Sequence, residues 1–136
     1  AAGADGFIRR LPDGYATLLG ERGTVRIGGE KMAKSTGNLV LVSDLLKDHR
    51  GAAIRLMILD RRWWDAWDYD PAQLAAAEGQ LDALHAAAGR RDDDPIAEAE
   101  VMRRLLDDVD VPGAMSVALE SGGRAARVLV QVLGIA

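Results

Sequence analysis

The 136 residues suffice to bury one core, and a chain 49% hydrophobic and 28% charged has the composition of an ordinary globular domain. The absence of cysteine excludes a disulfide framework, a thiolate metal site and a cysteine nucleophile. No apolar run approaches the roughly 20 residues that cross a bilayer, and no signal peptide opens the sequence, so a cytoplasmic protein is expected.

Residues 1–23 mix glycine with charges of both signs, and Pro12-Asp13-Gly14 reads as a turn. Thr24 to Ile27 alternates as a short strand that stops at Gly28-Gly29. A loop is expected over the following run "EKMAKSTGN", and the apolar "NLVLV" is either extended or packed as a turn beneath it. Ser43 is placed to cap a helix over "DLLKDHR", and a second helix is expected over "AAIRLMILD", with Ile54, Leu56, Met57 and Leu59 available for burial. "RRWWDAWDYDP" interrupts the helical pattern.

Asp70-Pro71, with Gln73 three positions after Asp70, reads as a capped helix start with proline at its first position. Leu74, Ala77, Leu81, Leu84 and Ala88 then follow one helical face. Asp94-Pro95 opens another helix, with Ile96, Val101, Leu105 and Leu106 assigned to the core. Pro112 opens a third through Met115, Val117 and Leu119, ended by Gly122-Gly123. Val128, Leu129, Val132 and Leu133 mark a last amphipathic helix. The expected architecture is mainly α: residues 43–136 form a helical bundle that follows a short strand-and-loop segment, residues 1–42. His49 and His85 lack ligand spacing, and the Asp92–Asp94 run reads as a helix start, so no metal site is expected.

Charge is divided unevenly along the chain, whose net charge is −4. Residues 1–62 hold 11 Lys and Arg against 7 Asp and Glu, whereas residues 63–136 hold 6 against 14. The basic half contains "GGEKMAKSTGN", Gly28 to Asn38. Glycines allow a backbone to approach phosphate closely, and lysine ammonium groups offset the charge that grows in a phosphoryl or nucleotidyl transition state. The run is not a Walker A loop, because its lysines do not follow the G-x-x-x-x-G-K-[ST] spacing. Trp63, Trp64, Trp67 and Tyr69, beside Arg61 and Arg62, either pack the bundle onto its neighbour or stack on a base or sugar, and packing is the favoured reading.

"KMAKSTGN" resembles the KMSKS signature of class I aminoacyl-tRNA synthetases in its usual setting, GxKMSKSxGN. Six such residues would coincide by chance on the order of once in 10⁵–10⁶ chains of this length. The continuation "LVLVSDLLKDHRGAAIRLMIL" resembles the cysteinyl branch, which contains cysteinyl-tRNA synthetase and the mycothiol cysteine ligase. "WWDAWDYDPAQL" and the terminal "VLVQVLGIA" look like the ligase, and "LLDDVDVPGAM" resembles a stretch of both.

The resemblance implies that the strand and loop are the end of a Rossmann-like catalytic domain. It implies Mg-dependent use of ATP, with Lys31 and Lys34 on the phosphates and Lys34 stabilising pyrophosphate as the cysteine carboxylate attacks the α-phosphorus. Met32 would pack under the loop, Gly28, Gly29 and Gly37 would let it move, and Ser35 and Asn38 would hold its closed form. Ala33 stands where serine is usual. The family's HIGH motif and the zinc ligands of its upstream part are absent from these residues. A chain with half an ATP site is not expected to adenylate cysteine alone. It is a fragment of a longer enzyme, a subunit completed by a second chain that supplies the HIGH half, or a relative that has lost catalysis. An amino-sugar acceptor is expected ahead of tRNA, because the bundle is acidic and leaves no room for an anticodon-binding domain.

Overall fold

The computed structural model describes residues 24–136; the Pro12–Gly14 turn lies outside them. The described chain is mainly α, with six α-helices and one small sheet. Strand β1 (Val25–Ile27) turns through Gly28-Gly29 into β2 (Glu30–Lys31), and a short 3₁₀ turn covers Lys34–Thr36. Helices α1 (Val42–Leu45) and α2 (Gly51–Leu59) follow, then β3 (Trp67–Asp68). Four longer helices complete the chain: α3 (Pro71–Ala88), α4 (Pro95–Leu106), α5 (Val111–Ser121) and α6 (Gly123–Leu133).

The core lies among the helices. Helices α3, α5 and α6 pack on one another, α4 lies against α5 and α6, and α2 lies on α3. Leu56, Leu74, Leu81, Leu84, Val101 and Leu129 are fully buried between them. Burying each such side chain contributes about 1.5–3 kcal/mol.

Three helix starts share one device. An aspartate at the N-cap accepts from the first turn and a proline follows at the first or second position, where its missing N–H costs nothing. Asp70 accepts from Ala72 N–H, Asp94 from Ile96 and Ala97 N–H, and Asp110 from Gly113 N–H. Between α5 and α6 there is no room for a loop. Gly122 and Gly123 both have positive φ, and a Cβ on Gly123 would lie 1.3 Å from the carbonyl oxygen of Asp92. Arg90 donates to the carbonyls of Leu119 and Glu120, and Arg127 pairs with Asp93 at 2.7 Å. Asp94 caps α4 and Asp93 forms this ion pair, so the aspartate run serves the helix junction.

The structure corrects several expectations. Ser43 is not the cap of α1. Extended Leu41 takes that position, and its carbonyl accepts from Asp44 and Leu45 N–H. The helix ends at Leu45 instead of running to Arg50, because Arg50 is extended at the start of α2. Its backbone N–H and guanidinium are held by Glu78, and the guanidinium also pairs with Asp82 of α3. Gln73 does not complete a capping box: its Oε1 is buried with no hydrogen-bond partner among the described residues.

On α4, Ile96 and Leu106 are each 81% exposed, while Ala97 and Val101 face the core. The Asp94 cap fixes the rotation of the first turn, and from there the i, i+4 pair Ala97 and Val101 points inward. On α3 the buried position is Ala87, with Ala88 only partly covered, and Val132 of α6 is half exposed. The stretch 63–70 is not merely an interruption, since it contains β3.

The hairpin and lysine loop

Gly28 and Gly29 form a two-residue turn between Ile27 and Glu30, with φ of 57° and 82°. Positive φ at both central residues is what a type I′ hairpin turn requires. Space is not the constraint, because a Cβ on either glycine would meet nothing within 4 Å. Two strands this short are marginal in water. A third therefore matters: β3 lies parallel to β1 on its other edge, with Trp67 N–H on the Thr24 carbonyl at 3.1 Å and Tyr69 N–H on that of Arg26 at 2.8 Å. One side-chain bond reaches across, from Gly29 N–H to Asp68 Oδ1 at 2.8 Å.

The loop beyond β2 is organised by Asn38. Its Oδ1 accepts from Ala33 N–H at 2.9 Å and from the Thr36 hydroxyl at 2.6 Å, and its Nδ2 donates to the Lys31 carbonyl at 3.2 Å. The Thr36 hydroxyl is also within 2.8 Å of the Ala33 carbonyl. Gly37 closes the 3₁₀ turn in the left-handed region at φ 68°.

Lys31 lies on β2 and not in a loop, Lys34 opens the 3₁₀ turn, and both are exposed, as is Ser35. Met32 is half-buried and lines an apolar cavity of 370 Å³ with Val25, Val40, Trp63, Trp67 and Tyr69. Gly28, Gly29, Lys31, Met32, Lys34, Ser35, Gly37 and Asn38 thus lie on one continuous hairpin and loop. That surface offers two ammonium groups on a backbone held by polar contacts, an arrangement suited to an anion.

The aromatic cluster divides. Trp67 and Tyr69 pack against the helical core, and the Arg61 guanidinium lies 3.6 Å from the centre of the Trp67 ring. Arg61 donates to the Met57 carbonyl at 3.0 Å from Nε, and burial lowers its pKa. Burial also raises the neighbouring Asp60 carboxyl, which accepts from Gln80 at 3.0 Å. Trp63 and Trp64 meet edge to face at 5.3 Å, with Trp63 43% exposed.

No described helix is long and apolar enough to cross a membrane. His85 Nε2 lies 2.8 Å from the Ile135 carbonyl, and His49 faces Glu78 at 3.7 Å. Among the described residues no three His, Asp or Glu side chains gather as a metal site, and the chain has no cysteine. These residues therefore do not fit a thiol-selecting zinc.

The family model of the class I (C) tRNA synthetase catalytic domain matches residues 12–79. The chain belongs to this family. The match starts upstream of Thr24, so the likeness extends into a segment whose motifs did not carry it. An L-cysteine:1D-myo-inositol 2-amino-2-deoxy-alpha-D-glucopyranoside ligase of Streptosporangium roseum is 42% identical over 119 residues, 80% of this chain and 29% of the relative. The same-named ligase of Thermobispora bispora is 41% identical over 105 residues, 76% of this chain and 26% of the relative. A cysteine–tRNA ligase of Parvibaculum lavamentivorans is 36% identical over 109 residues, 76% of this chain and 23% of the relative. The chain spans less than a third of the length of these relatives.

ATP use is a general property of the class I synthetase family. Sequence reading missed two parts of this region, β3 and the Asp68 contact. A two-residue strand has no period of its own, and its partner lies 42 positions earlier.

Proposed function

We propose that this chain supplies the lysine-loop wall of the ATP site in a cysteine-activating ligase. The observation that carries the reading is the loop itself: Lys31 and Lys34 stand exposed on a hairpin and turn that Asn38 and paired glycines hold in shape. Residues 1–42 would close the catalytic domain and residues 43–136 would form the bundle beside it. Lys31 and Lys34 bind the phosphates of Mg-bound ATP. The backbone of Gly28, Gly29 and Gly37 lets the loop close, Met32 anchors it from below, and Ser35 and Asn38 hold the closed form.

The cysteine carboxylate oxygen then attacks the α-phosphorus. The bond to the bridging oxygen breaks, and pyrophosphate leaves with the electron pair. Lys34 offsets the charge that accumulates on it. In the second step an acceptor amine attacks the cysteinyl carbonyl, AMP leaves, and the amine loses a proton to give an amide. The HIGH half and any zinc that selects the thiol belong to an upstream part or to a second chain.

The acceptor we favour is the amine of a glucosaminyl-inositol, as in mycothiol biosynthesis. The names of relatives 41–42% identical to this chain support it. Transfer to tRNA-Cys is the second reading, supported by the cysteine–tRNA ligase relative. The test is to give the native gene product ATP and cysteine with either acceptor. Amide formation on the amino-sugar alone is expected. Charging of tRNA-Cys alone would move the protein to the second reading, and no product or adenylate with either would leave a non-catalytic synthetase-like module.

A further inference from the structure

We propose that Asp68 is a positioning residue for the lysine loop, acting through the hairpin turn; the proposal rests on the ATP-site reading above. Asp68 Oδ1 accepts from Gly29 N–H at 2.8 Å, across 39 residues of sequence. Gly29 is the second residue of the turn, so this bond fixes the point at which the chain reverses into β2 and Lys31. The rest of β3 is anchored to the bundle. Trp67 packs against the helical core beneath the Arg61 guanidinium, and Arg61 is held by the Met57 carbonyl in α2. A continuous series of contacts therefore runs from α2 through Arg61, Trp67 and Asp68 to the turn.

Residues 24–50 contain no fully buried side chain, and Met32 beyond β2 is only half-buried, so burial alone does not fix the direction of β2. Among the described residues, the Asp68 contact is the side-chain bond that ties the turn to the bundle. A carboxylate beside a phosphate-binding loop would repel its ligand, so the useful feature of Asp68 is the acceptor oxygen and not the charge. Asparagine preserves that oxygen and alanine does not.

The experiment measures cysteine-dependent ATP–pyrophosphate exchange by the native gene product and by its Asp68→Ala, Asp68→Asn and Lys34→Ala variants, with Tm recorded for each. Loss of this hydrogen bond is expected to lower kcat/KM for ATP about tenfold in Asp68→Ala. Most of the loss should fall in kcat, because the lysine contacts strengthen in the transition state. Tm should stay at the native value, and Asp68→Asn should recover exchange. Native exchange in Asp68→Ala, with Lys34→Ala inactive, overturns the positioning role and leaves the ATP-site reading standing. Equal loss in Asp68→Ala and Asp68→Asn overturns it as well, since the acceptor would then not matter. A fall in Tm with unchanged kcat and KM assigns Asp68 a structural role only and refutes the proposal. Native exchange in Lys34→Ala removes the ATP-site reading, and the proposal falls with it.

Discussion

The bundle and the lysine hairpin are held together by different forces. From Ala53 onward the helices are built on buried apolar side chains, several of them fully excluded from water. From residue 24 to residue 50 no side chain is fully buried, and shape comes chiefly from paired glycines, one asparagine and a borrowed strand, with Met32 half-buried beneath. Burial is non-directional and cumulative, and it gives the rigid body. Hydrogen bonds exposed to water contribute little each and exchange readily, which would suit the loop closure proposed above. Apolar burial and polar contacts thus dominate in separate stretches of the chain.

The largest expected effect falls on the rigid side. Gly123→Ala puts a methyl against the Asp92 carbonyl, in a residue with φ of 52°. The variant should lose about 3–5 kcal/mol in denaturant unfolding. A loss below about 1 kcal/mol would mean that the α5–α6 junction is looser than its geometry indicates. On the hairpin side, Asn38→Ala removes the hydrogen bonds to Ala33, Thr36 and Lys31. Unfolding free energy should change by about 1 kcal/mol or less, while ATP–pyrophosphate exchange falls about tenfold. Comparable losses of stability in the two variants would erase the distinction between the regions.

A third substitution sharpens the comparison by adding stability to the bundle. Val109 is β-branched and has φ of 55°, in the loop where α4 ends. Val109→Gly should raise unfolding free energy by up to about 1 kcal/mol, as relief of left-handed strain exceeds the added freedom of the unfolded chain. A drop would show that the half-exposed valine side chain contributes more than its strain costs.

The smallest effect concerns acid. The Arg103 hydrogen bond, with Arg104 beside it, lowers the Glu100 carboxyl from 4.5 to about 2. A carboxylate lowered on folding stabilises the protein above its unfolded value and loses that contribution as pH falls toward the folded one. The Tm of the native chain should therefore decline between pH 4.5 and 2 more steeply than that of Glu100→Gln. Parallel curves would assign this exposed network no part in stability.

The same division decides what could be seen in the sequence. The starts of α3 and α4 were legible because an aspartate cap stands next to a proline, whereas α5 was read from Pro112 alone and its Asp110 cap was not seen. Most of the inward face of α3 was legible because Leu74, Ala77, Leu81 and Leu84 repeat on one side. Ile96 and Leu106 were misassigned because hydrophobicity does not reveal which of two apolar stripes a cap turns inward. The lysine loop was recognisable as a motif, yet its support was not. Asn38 could be named from the motif, whereas Asp68 and Thr36 act through contacts that no local pattern announces.

The central claim is that the exposed lysines on the hairpin and loop act on ATP. It is tested most directly by cysteine-dependent ATP–pyrophosphate exchange in the native gene product and its Lys34→Ala variant. The account predicts a loss of about 10²–10³-fold in exchange at unchanged Tm. Exchange at the native rate in Lys34→Ala would contradict it.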